Sequence, residues 1–252
     1  MKIAFTQLFP TPVVSRQQSL TKLTRDLCGH FATLQRALSG RRFFVLFVSL
    51  LAFLVLSPYF LRYGSERTAV RIFGAAVMLL SVYAIAFRRG FALFALGLAI
   101  PNIVQRLVST FAHQGAPFLA VTTSAFLFDL VIIVIIFRRV FRTDEANSEA
   151  IFGALCVYLL IGFSFANGYL LLADLQPHAF YFEPLGNFPR VPGRFSYIYY
   201  SFGTLTTLGT PGITPASDDA RSISIIETIL GVLYLAVLIA RLISVYKRQL
   251  KS

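Results

Sequence analysis

Tryptophan is absent from this chain of 252 residues, and cysteine occurs only as Cys28 and Cys156. Two distant thiols make no disulfide framework and no CxxC pair for a metal or a redox cycle. Charge is scarce too. Charged residues make up 13% of the chain, about half the share of an ordinary soluble domain, while hydrophobic residues reach 56%, which argues against a soluble globule. Acids are the scarcer sign, 11 against 23 Lys and Arg, and the net charge is +12. In a soluble protein that balance points first to nucleic acid, so the position of the charges has to be read. His30, His113 and His178 are isolated, without HExxH or other ligand spacing. GxSxG, GxxxxGKS/T and GxGxxG are missing, so hydrolase, nucleotide-driven pump and dehydrogenase have no support, and neither an enzyme nor a bound cofactor is expected.

What the chain has instead is long apolar runs. A helix needs about 20 mostly apolar residues to cross a hydrocarbon core about 30 Å thick. Six stretches meet or approach this: Phe43–Leu61, Ala69–Phe87, Phe91–Phe111, Pro117–Phe137, Ala150–Leu172 and Ser222–Tyr246. They lack the alternation of barrel strands, and backbone in lipid must satisfy its own hydrogen bonds. The expected fold is an all-α membrane protein with six transmembrane helices.

Lys and Arg collect at one set of helix ends, as cytoplasmic loops do. Lys2, Arg16, Lys22, Arg25, Arg36, Arg41 and Arg42 precede the first span, Arg88 and Arg89 follow the second, Arg138, Arg139 and Arg142 follow the fourth, and Lys247, Arg248 and Lys251 end the chain. With six spans these share one side, so both termini are expected in the cytoplasm. Adding Arg241 makes sixteen basic residues against Asp26, Asp144, Glu145 and Glu149, which accounts for the whole +12. The basicity is an orientation signal and an anchor to anionic lipid, with no nucleic-acid partner. The remaining basic and acidic residues cancel, and from Asp174 to Glu227 five acids face three arginines, a mildly acidic outer entrance. Leu20, Leu23, Leu27, Phe31, Leu34 and Leu38 lie on one face of an amphipathic helix, read either as lying on the membrane or as packing between subunits. A lipid on Cys28 of that helix is the less favoured reading of a small apolar residue. Three parts follow: residues 1–42, a cytoplasmic segment; 43–145, a four-helix bundle; and 146–252, the last two spans with the long connection between them.

The connection between the fifth and sixth spans runs to roughly fifty residues, long enough to carry structure or function of its own. It ends in Tyr197–Pro215, YIYYSFGTLTTLGTPGITP, a short helix followed by a Thr/Gly/Pro run that no spanning helix would tolerate. Such backbone is allowed at membrane depth where it lines a water-filled path, and its carbonyls can replace an ion's hydration shell.

These residues resemble the pore-loop potassium channels. Leu205-Thr206-Thr207-Leu208-Gly209 and Ile213-Thr214-Pro215 are similar to that family's TLTTxGYGDxTP stretch without a gap, and Glu227, Gly231 and Leu233 to Arg241 resemble the inner helix of bacterial members. The resemblance covers about the last hundred residues. It implies a re-entrant pore helix and filter loop between spans five and six, a homotetrameric pore in the bacterial inner membrane, and a filter over Thr206, Thr207, Leu208, Gly209, Thr210, Pro211 and Gly212. Potassium is the implied permeant ion, with sodium the alternative. Gly209-Thr210-Pro211-Gly212 replaces the family's Gly-Tyr-Gly-Asp. The lower sites, Thr207 to Gly209, match; above them Pro211 fixes φ near −65° where the family has glycine, and weakened selectivity is expected.

Charges inside the spans are weighed the same way. Arg71 and Arg106 lie near outer helix ends and Arg241 near an inner end, where snorkelling to the headgroups accounts for them. Asp129 lies deeper and calls for a partner such as Arg106 or Asn102. The fourth span holds no arginine series, so voltage dependence is expected to be weak. Gly231 is a candidate gating hinge and equally a close-packing site between helices. The expected activity is passive cation conduction. A non-conducting or regulatory subunit is the alternative, and a secondary carrier the weaker one because only one broken span is evident.

Overall fold

The computed structural model describes residues 42–62, 67–85, 97, 99–101, 103–104, 118–142, 148–184, 193–210 and 212–249. The chain divides into Met1–Arg41 and a compact unit Arg42–Ser252. The amphipathic helix with Cys28, most of Phe91–Phe111, Asn102, Arg106 and Pro211 lie outside the described residues.

Within the second unit the helices are α1 (Arg42–Arg62), α2 (Arg67–Ile85), α3 (Phe118–Arg142), α4 (Ser148–Leu175), α5 (Arg194–Leu205) and α6 (Asp218–Gln249). Among the described residues three helices are long and apolar enough to cross a membrane: α1 over Arg42–Tyr59, α4 over Ser148–Leu175 and α6 over Asp218–Ser244. At about 1.5 Å per residue, the 28 residues of α4 span about 42 Å, more than the hydrocarbon thickness.

Helix α4 is the hub, packing against α1, α3, α5 and α6. Small residues allow this: Gly153 meets Val140 and Phe43, and a Cβ on Gly162 would lie 2.7 Å from the Phe202 ring of α5. The largest core joins Leu46 and Leu50 of α1, Phe128 and Ile132 of α3, and Val157 and Leu160 of α4. Near the α6 end of the core, Tyr234 donates to the Ala154 carbonyl at 2.7 Å. Arg241 places its guanidinium over the Phe141 ring near the end of α3, 4.5 Å from the centroid, a cation–π contact between α6 and α3.

One feature among the described residues adds to the all-α expectation. Strands β1 (Phe180–Phe182) and β2 (Ile213–Pro215) pair antiparallel, with Phe180 opposite Pro215 and Phe182 opposite Ile213. Three residues per strand are too few to show a period in sequence, and only the pairing defines them. The ladder ties the segment after α4 to the segment before α6.

Candidate functional site

Helix α5 is short because its sequence stops it at both ends. Gly193 precedes it in an extended conformation, and Thr206 closes it at φ −90 and ψ 0, its N–H bonding the Phe202 carbonyl at 3.0 Å and its Oγ1 the same oxygen at 2.6 Å. Thr207 then takes φ 58, in the left-handed region that a threonine rarely adopts, and Gly209 follows at φ 85 with Leu208 between them outside that region. The chain reverses so sharply that Gly209 N–H bonds back to the Gly203 carbonyl at 3.2 Å. Thr206, Thr207, Leu208 and Gly209 are all exposed, Leu208 by 78%. The last peptide carbonyls of α5 point the negative end of its dipole towards this exposed segment.

What stands behind the segment is close backbone packing. Thr210 lays its Cγ2 against Gly203, where a Cβ would also lie 2.9 Å from the Gly209 oxygen. Glycine at 203 is therefore required for the Gly209–Thr210 segment to lie on α5. Gly212 has φ 83 and its carbonyl accepts from the Glu183 N–H at 3.0 Å, which joins the end of the segment to the β1–β2 ladder. Aromatic rings brace this region: Phe180 meets Tyr197, Tyr169 and Tyr200 edge-on at 5.6, 5.5 and 5.3 Å.

Helix α6 lines up behind the same elements. Its buried positions Ala220, Glu227, Gly231, Tyr234 and Leu238 recur at steps of seven, four, three and four, one stripe of a helix on which Ile225, Ile229, Leu233 and Val237 are exposed. Gly231 lies directly against the Leu205 carbonyl and side chain at the end of α5. Ser217 accepts from Ala220 N–H at 3.2 Å, and Asp218 and Asp219 occupy the first turn, where the dipole favours acids.

Two polar clusters were hidden from sequence reading. By sequence Glu227 belongs with the acids of the outer entrance, yet it is fully buried. Its Oε1 lies 2.5 Å from Ser201 Oγ and its Oε2 2.6 Å from the Tyr169 hydroxyl, while Ser201 Oγ is also 2.7 Å from the Gly162 carbonyl. Tyr200 OH reaches Ser224 Oγ at 2.7 Å beside it. The second cluster answers the question of a partner for Asp129. Asn167 Nδ2 donates to Asp129 Oδ2 at 2.7 Å, and Arg194 Nη2 donates to Asn167 Oδ1 at 2.8 Å. The only signal available in sequence was an acid within an apolar run, Asp129 in one and Glu227 in the other.

Residues 168–248, from the second half of α4 through α5, the exposed segment and α6, match the family model Ion_trans_2, described as Ion channel. This supports an ion channel family. The match covers less than half of the chain, and a search of curated proteins found no match. The ion channel segment thus coincides with the elements that carry the site, and α1 to α3 lie before it.

Proposed function

We propose that this protein conducts cations passively across a membrane, with potassium preferred through the lower part of its filter and weaker rejection of sodium than an intact Gly-Tyr-Gly-Asp filter gives. The observation that carries the reading is the junction of α5 with Thr206–Gly209. A half-length helix ends in exposed backbone with left-handed residues at Thr207 and Gly209, set at the negative end of the helix dipole. Carbonyls of Thr207, Leu208 and Gly209 and the Thr207 hydroxyl would coordinate the ion, with Thr210 at the upper edge. Thr210, Pro211 and Gly212 replace the groups that hold the upper sites, so fewer stacked sites remain.

One such loop cannot enclose an axis. Four copies of the chain are proposed, each supplying a filter segment and an α6, in a membrane-spanning assembly of six spans per chain with both termini cytoplasmic. The exposed apolar faces of α6 agree with burial against lipid and other copies. No cofactor is proposed; the ligands are the permeant ion and lipid.

Reversal potentials of the purified protein in lipid bilayers, under opposed potassium and sodium gradients, test the reading. A potassium preference of modest size is expected. Strict potassium selectivity overturns the weakened filter, and no current from the reconstituted protein overturns conduction in favour of a regulatory subunit.

A further inference from the structure

The Glu227 cluster contains one proton too few if the carboxyl group is ionised. Ser201 has a single hydroxyl hydrogen, yet Oγ has two acceptors at bonding distance: Glu227 Oε1 at 2.5 Å and the Gly162 carbonyl at 2.7 Å. Tyr169 spends its hydrogen on Glu227 Oε2 at 2.6 Å. With a carboxylate, one of the two short contacts at Ser201 would hold two oxygens with no hydrogen between them. With a carboxylic acid every group is satisfied. Oε1–H donates to Ser201 Oγ, Ser201 donates to the Gly162 carbonyl, and Tyr169 donates to Oε2.

The surroundings point the same way. Glu227 is fully buried, and the groups that face it are Tyr169 and Tyr158 of α4, Tyr200 and Ser201 of α5, and Ser224 of its own helix. The tyrosines are neutral near pH 7. Among the described residues no Lys, Arg or His forms an ion pair with it. A charge in such a place costs several kcal/mol, whereas a neutral acid serves as a hydrogen-bonding strut.

The strut has a mechanical position. It joins α4, α5 and α6 one turn before Gly231 meets the end of α5, and α5 leads directly into Thr206–Gly209. We infer that Glu227 is held as the neutral acid, that it locks α5 between α4 and α6, and that its ionisation on alkalinisation unlocks α5 and so regulates the filter. The last clause rests on the proposed conduction; the first two do not.

Infrared titration of the purified full-length protein, wild type against Glu227→Gln, reads the protonation state. A protonated-carboxyl band present near neutral pH, lost at alkaline pH and missing from the variant is expected. The amide of Glu227→Gln can donate to Ser201 and accept from Tyr169, so the variant keeps the strut without a titratable proton. If it fails to fold, Tyr169→Phe serves. Its loss of a donor to Oε2 disfavours the carboxylate, so the band should persist to higher pH. Absence of a Glu227 band near neutral pH overturns the neutral acid, and an unmoved band in Tyr169→Phe overturns the bond of that acid to Tyr169.

Hydrogen-exchange protection of the α5 amides reads the lock. Protection factors should fall on alkalinisation in the wild type and hold in Glu227→Gln; equal behaviour overturns it. Bilayer recordings complete the test. Current that fails on alkalinisation in the wild type and persists in Glu227→Gln supports regulation, and pH-insensitive wild-type current overturns it. A chain that conducts nothing refutes the channel reading and its regulation, while the band and the exchange still decide the strut.

Discussion

Asn167 and Asp129 are joined by a 2.7 Å hydrogen bond that runs from α4 to α3, and the same asparagine accepts from Arg194, the first residue of α5. A carboxyl group 7% exposed is thus linked through one side-chain amide to the start of the short helix. Replacing Asn167 by Ala breaks both bonds at once. Hydrogen bonds between helices in a membrane are worth about 0.6 kcal/mol on average and up to about 1.7. A double-mutant cycle of Asn167→Ala and Asp129→Ala, read by unfolding in detergent, should return a coupling energy in that range. Strict additivity would refute the link.

Gly203 has no room for a methyl group. Gly203→Ala should displace Thr210 and the Gly209 carbonyl, abolish or distort conduction, and leave assembly of the protein intact. Adding Thr210→Ser removes the nearest obstructing methyl but leaves the Gly209 oxygen 2.9 Å away, so only partial recovery of current is expected. Full current in Gly203→Ala would contradict the close packing of Gly209–Thr210 on α5.

At Gly231 the neighbour is backbone, the Leu205 carbonyl, which cannot rotate away as a side chain can. Overpacking of this kind costs typically 1–3 kcal/mol, roughly. Gly231→Ala should therefore lower thermal stability in detergent. Unchanged stability with altered open probability would instead favour the hinge proposal.

Voltage should matter little. Helix α3 carries its arginines, Arg138, Arg139 and Arg142, only at its end, and Arg139 lies over the Phe43 ring of α1. Moving a charge through the membrane field supplies about 2.3 kcal/mol per 100 mV, and there is no series of charges in α3 to move. A shallow conductance–voltage curve is expected; a steep one would refute this.

Cys156 is buried, with its Sγ donating to the Phe43 carbonyl at 3.3 Å. Membrane-permeant maleimides should leave it unlabelled until the protein is unfolded. Rapid labelling of Cys156 in the native state, mapped by mass spectrometry, would contradict its place in the core.

Local chemistry was legible from residues alone. Apolar runs located α1, α2, α3, α4 and α6, because hydrophobic length is a property of contiguous sequence. The break at Thr206 to Gly212 was legible because Thr, Gly and Pro cannot continue a helix in lipid. The β1–β2 ladder was not, since three-residue strands exist only through a partner some thirty residues away. The contact of Arg241 with Phe141 was not legible either, because the ring comes from a different helix.

The scarcity of charge and the long apolar runs sufficed to point to a membrane, and the Thr/Gly/Pro run to place the break in helix after α5. They could not say which acids face water. Glu227 counted as one more negative charge near an entrance until the packing of α4, α5 and α6 buried it between Ser201 and Tyr169. Composition assigns each ionisable group its ordinary charge. Tertiary structure decides whether that charge can exist, because solvation and hydrogen-bond partners come from residues distant in the chain.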